Sequence, residues 1–165
     1  MTTARPRQRL LTLISSVSAA AATCLVVAGV YASRSVPSSP LVLLGCLGLI
    51  FASVRFHLPV RLGAQRAELS WSEAALVLTL ALVAGAWAVL LTPIAVAANY
   101  AQRRIEPMKT LYNVANNTVA AAAAAGVLAT VKVSQPYGVS DILTLAAAGA
   151  VAGLVTHLAV AAVVA

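Results

Sequence analysis

The stretch Ala74–Ala98, AALVLTLALVAGAWAVLLTPIAVAA, decides the fold, because it carries no charge and crosses a bilayer either once as a tilted helix or twice as a tight hairpin bent near Gly85. Basic residues separate the two readings. With a hairpin, Arg5, Arg7, Arg9, Arg55, Arg61, Arg66, Arg103, Arg104 and Lys109 all face the cytoplasm, and only Arg34 and Lys132 face outward. With a single crossing the Arg103, Arg104 and Lys109 cluster moves outside and Lys132 moves in, which fits the positive-inside bias less well. Trp87 points the same way: a single span buries it at mid-membrane, whereas a hairpin sets it beside the bend, where amphipathic rings are favoured. The hairpin's arms are short, about 21–24 Å each, so they require shelter from neighbouring helices or a thinned bilayer. Pro93, inside the second arm, frees a backbone carbonyl and is expected to kink it.

Composition sets the class around this stretch. Hydrophobic residues make up 61% of the 165, charged residues 9%, and the mean hydropathy is +0.94, too little polar surface to coat a soluble domain. The chain is therefore read as an all-α, polytopic membrane protein forming one membrane domain over residues 1–165. About six transmembrane segments are expected, near 10–31, 41–57, 71–84, 86–101, 109–131 and 141–165. The net charge of +7 lies in short clusters between apolar runs, the pattern of cytoplasmic loops and not of a nucleic-acid surface. The expected location is a bacterial cytoplasmic (inner) membrane with the N-terminus inside. Cys24 and Cys46 sit in apolar runs without metal or redox spacing and read as packing residues, so neither a metal nor a cofactor is expected.

Outward from the centre, Leu10–Tyr31 is too long for a signal-peptide core and reads as a retained span. Ser39-Pro40 is a helix start, and the short apolar run behind it ends at Arg55, with His57 at the interface. Residues 56–70 turn mixed, and Pro59 and Gly63 interrupt any helix there. Ser70 and Glu73 have capping-box spacing, which makes Glu73 a helix cap before a proton carrier. Glu106-Pro107 opens another helix. Ser140 or Asp141 is suited to cap the last one, which carries Gly149 and Gly153 at close-packing spacing and His157 as a buried, neutral, hydrogen-bonded group. That glycine pair makes a homodimer one possible use of the helix. The chain closes on apolar residues, so Ala165 reads as a cut through a longer protein.

No catalytic constellation is present, so no enzyme activity is assigned to these residues. The candidate binding groups are Asn113, Asn116 and Asn117, which share a helix face by their i, i+3, i+4 spacing, together with Asn99. Such amides serve as polar glue between helices or line a ligand cavity shaped by Gly85 and Pro93. The small-residue run Ala120–Ala125 allows a second backbone to approach closely.

The order LSWSEAALVLTLALVAGAWAVLLTPIAVAANYAQRR, then KTLYNVANNTVAAAAAAGV, then AGLVTHLAVAAVV resembles the N-terminal multi-pass membrane modules of bacterial, especially actinobacterial, HD-GYP and GGDEF signalling proteins. Those modules have a serine-headed arm, a glycine bend, a second arm ending in basic residues, and an aromatic-Asn pair opening a small-residue helix, here Tyr112-Asn113. This chain departs from them in having Gly85-Ala86 at the bend in place of Gly-Pro, and His157 where an Asn is frequent. The resemblance implies a sensory or anchoring module with a cytoplasmic, cyclic-dinucleotide type output domain beyond residue 165. The same arm-bend-arm pattern is similar to the substrate-binding membrane subunits of energy-coupling-factor transporters, which implies a transport role instead. A small membrane scaffold is the third possibility.

Overall fold

The computed structural model describes residues 4–35, 38–56, 58–62, 65–69, 71–130 and 138–164, with the backbone alone for 4–7, 58–62, 65–69 and 163–164. Along the chain come α1 (Ala4–Arg34), α2 (Pro40–Arg55), β1 (Leu58–Leu62), β2 (Gln65–Leu69), α3 (Ser72–Leu82), α4 (Gly85–Gln102), α5 (Pro107–Ala129) and α6 (Val139–Val164). Proline opens α2 and α5 at the first helical position, where a missing N–H costs nothing, as the Ser39-Pro40 and Glu106-Pro107 pairs suggested. At α6 the cap is Asp141, whose carboxylate reaches back to accept the Gly138 N–H at 2.8 Å. The Arg104 amide at the end of α4 bonds Ala101 O and the Ile105 amide bonds Tyr100 O, a Schellman closure that puts Arg104 at φ 52°.

The all-helical fold is as expected; the connection between α2 and α3 adds something the sequence reading lacked. In place of an irregular loop, β1 and β2 form an antiparallel ribbon running from Leu58 opposite Leu69 to Leu62 opposite Gln65, with Arg61 in register with Arg66. Among the described residues two helices, over Gln8–Arg34 and Val139–Ala162, are long and apolar enough to cross a membrane, which supports a membrane location but falls short of the six spans expected, since α4 and α5 are long without being apolar enough. Helices α2 and α3 are apolar but shorter, and the 11 residues of α3 rise only about 16 Å.

The six helices close into a ring. Around it α1 packs on α5, α5 on α6, α6 on α3, α3 on α2, α2 on α4 and α4 on α1, while α4 and α5 also pack on each other across it. Small side chains make this possible: Ala88, Ala95, Ala121, Ala124 and Ala148 are fully buried, so the backbones approach closely. Bulky apolar residues point the other way, with Leu41 79% and Val26 69% exposed. A water-soluble fold inverts that distribution.

Within the ring the Ala74–Ala98 stretch doubles back. Val83 and Ala84 are extended, so α3 stops and α4 starts at Gly85, one residue past the bend itself. Near the far end of α4, Asn99 Nδ2 donates to Phe51 O near the end of α2 at 3.4 Å, and Ser72 and Glu73 at the start of α3 share a cavity with Val54 of that same α2 end. Both arms therefore run back from the bend in the same direction; the first turn of α3 is level with Thr92, and α4 continues past it to Gln102. Gly85 serves close approach, since a Cβ there would lie 3.0 Å from Ala125 Cβ of α5.

Candidate functional site

Two concave features lie inside the ring, at different levels. The first is a cavity of about 20 Å³ walled by α2, α3, α4, α5 and α6, a space for one water-sized guest. Its polar lining is Ser72, Glu73, Thr92, Asn117 and Thr156, set among Ile50, Val54, Leu76, Ala120 and Ala152. The Ser72 hydroxyl donates to Glu73 Oε2 at 3.1 Å, Thr92 Oγ1 donates to Ala88 O at 2.8 Å, and Asn117 Nδ2 donates to Asn113 O at 2.8 Å. Thr92 and Asn117 each lie about ten residues, or about 15 Å, from the 103–106 turn that joins α4 to α5.

The second feature is a groove of about 670 Å³ at the opposite level of the ring. It opens where the α3–α4 bend meets the second half of α1 and the end of α5, with Val27, Ala28, Val83, Val89 and Leu128 among its walls. Its polar edge comes from Thr23, Cys24 and Tyr31 of α1 and from Ser35 just beyond it.

The structure does not bring the four candidate asparagines together. Asn117 lines the small cavity; Asn116 is buried in the wall of α5, and Asn113 contributes its carbonyl to Asn117. Asn99 is fully buried against α2, and its Oδ1 has no hydrogen-bond partner. The expected cavity between the Pro93 arm and the asparagine helix is thus present but held by Thr92 and Asn117, with Glu73 contributed by α3. Glu73 is the member that the sequence reading assigned to capping: α3 starts after Trp71 with no side-chain cap bond, and the Glu73 carboxylate is turned to Ser72. Ser70 lies outside the described residues, as do His57, Lys132 and Tyr137. Helix α4 runs on through Pro93.

Two further expectations are revised. A Cβ on Gly149 would lie 2.8 Å from Val77 Cγ2 and one on Gly153 3.7 Å from Glu73 Cγ, so this pair seats α3 within the chain. His157 is exposed on α6, and its Nδ1 meets only Gly153 O of its own helix, at 2.7 Å, in place of the interior position expected. Between α5 and α6, which pack extensively, the Tyr112 hydroxyl donates to Ala159 O at 2.6 Å.

Charge is segregated along the ring axis. The second half of α1 and the end of α5 flank one groove, so these helices run parallel, and Arg9, Arg55, Arg103, Arg104 and Lys109 belong to one end while Arg34 belongs to the other. Among the described residues no group of three or more His, Cys, Asp or Glu side chains is arranged to hold a metal ion. Comparison with protein-family models, curated proteins and solved structures gives no match for this chain.

Proposed function

We propose that the chain is a six-span membrane module of a bacterial signalling protein, seated in the cytoplasmic membrane with its N-terminus and basic end inside. The observation that carries this reading is the placement of Arg9, Arg55, Arg103, Arg104 and Lys109 at one end of a ring whose outward face is apolar, with Arg34 alone of the described basic side chains at the other. The short α3 arm is carried between α2 and α6, with Leu78 and Leu82 left on its outer face, and its rise of about 16 Å means that the bilayer thins beside it or that it reaches only part of the way across. In this reading the groove, in the outer half, takes an apolar ligand or lipid chain; occupancy favours one packing of α1 against the α3–α4 bend. Such a signal must bind the two packings with different affinity to shift them. The output domain, of cyclic-dinucleotide type, lies beyond residue 165, and a homodimer joins two such outputs.

The native reading frame tests this. A frame continuing past codon 165 into an HD-GYP or GGDEF domain supports a sensory or anchoring role. A different soluble domain, or none, removes it.

One observation favours a second reading, a substrate-binding subunit of an energy-coupling-factor type transporter. The groove volume of about 670 Å³ falls within the range of small-molecule sites and lies in the half away from the basic end. Co-purification with an energy-coupling ATPase supports that reading, and its absence under conditions that preserve such complexes counts against it.

A further inference from the structure

The small cavity holds a carboxylate that the proposed function does not use. Glu73 accepts one hydrogen bond, from Ser72, and no cationic side chain among the described residues pairs with it. It stands level with Thr92 and Asn117, about 15 Å in from the basic-end turn, which is the depth of the centre of a bilayer about 30 Å thick. An uncompensated carboxylate at that depth is strongly disfavoured. Its place in the first turn of α3 brings the positive end of the helix dipole to bear, but that is a partial charge set against a full one.

The neighbours supply what a small hard cation needs. Thr92 has given its proton to Ala88 O, so only lone pairs remain for a guest, and Asn117 keeps its carbonyl oxygen after donating to Asn113 O. Thr156 adds a hydroxyl from α6. One anion and several neutral oxygens, contributed by four helices around a space of about 20 Å³, suit a single small monovalent ion; a lone carboxylate is poor in charge for a divalent one.

We propose that this cavity is a sodium site in which the Glu73 carboxylate and the oxygens of Thr92, Asn117 and Thr156 hold one ion between the α3–α4 hairpin and α5 and α6. The inference rests on the membrane reading but not on a sensory role. Bound sodium ties the hairpin to the rest of the ring, so the arrangement of α3 depends on the ion.

The test uses the full chain in detergent, with radioactive sodium binding and thermal unfolding measured as sodium replaces choline at constant ionic strength. The expected result is one sodium per chain and a melting temperature that rises with sodium. Glu73→Gln loses at least about tenfold in affinity, or 1.4 kcal/mol, with helix content retained, and Thr156→Val weakens binding to a smaller degree. Absence of sodium-specific binding in the unsubstituted chain overturns the site, as does undiminished binding in Glu73→Gln. A melting temperature that is the same in sodium and in choline also overturns it. Should Glu73→Gln fail to fold, Thr156→Val decides: unchanged affinity refutes the proposal and weakened affinity upholds it. Failure of the membrane reading is separately visible as recovery of the chain in solution without detergent, and the depth argument, with the sodium site, falls with it.

Discussion

Asn99 is fully buried, yet it makes one long hydrogen bond, to Phe51 O at 3.4 Å, and leaves Oδ1 without a partner. An orphaned oxygen costs about 1–3 kcal/mol, more than a weak bond returns, so Asn99→Leu is expected to leave thermal stability in detergent unchanged or raise it. A marked loss would contradict this and show that the bond to Phe51 O outweighs the orphaned oxygen. Arg104 presents the opposite case, a side chain in a backbone conformation that suits glycine. Arg104→Gly is expected to raise stability by about 1 kcal/mol, read from chemical unfolding; a decrease would mean that the guanidinium contributes more than the turn geometry costs. Neither effect was legible in the sequence. The asparagine spacing identified a polar helix face correctly, but which asparagine meets a cavity depends on the rotation of α5, which no local pattern sets. Glu73 was legible as a polar group in apolar surroundings, and the spacing to Ser70 drew it toward capping; its place opposite Thr92, Asn117 and Thr156 is a product of tertiary packing.

Among the elements, α3 governs the architecture. Its ends were readable from Glu73 at one side and Gly85 at the other, and Pro40 and Pro107 marked the starts of α2 and α5 just as plainly. The ribbon at 58–69 was not readable, because Pro59 and the mixed charges of that segment argue against a helix without arguing for strand pairing. The Gly149 and Gly153 pair was legible as a close-packing device but not its partner, which is α3 of the same chain. The two glycines differ in a way that can be measured. Gly149→Ala forces a Cβ to 2.8 Å from Val77 and is expected to cost about 1–3 kcal/mol, whereas Gly153→Ala, at 3.7 Å from Glu73, is expected to be tolerated. Adding Val77→Ala to Gly149→Ala relieves the clash and recovers part of the loss, a coupling that a double-mutant cycle resolves. Equal cost for both glycines, or additivity with Val77→Ala, would contradict the α3–α6 contact.

For the whole molecule, membrane character was legible from composition alone, because 9% charged residues cannot clothe a soluble surface. Of the nine basic residues that the charge pattern assigns to the cytoplasmic side, Arg9, Arg55, Arg103, Arg104 and Lys109 lie at one end of the ring, and the side of the membrane which that end faces belongs to the proposal. The groove was not anticipated: it lies where the α3–α4 bend meets the second half of α1 and the end of α5, a meeting that only the packing of elements distant in sequence creates. The central claim is that residues 74–98 turn back within the bilayer, so that Gln102 lies on the same side as Arg55 and opposite to Ser39. The direct measurement is labelling by a membrane-impermeant thiol reagent in intact cells, using single cysteines at Ser39 or Gln102 in a Cys24→Ala, Cys46→Ala background. The account predicts that Ser39→Cys reacts in intact cells while Gln102→Cys reacts only after the membrane is opened. Labelling of Gln102→Cys from outside would contradict the hairpin and restore a single crossing.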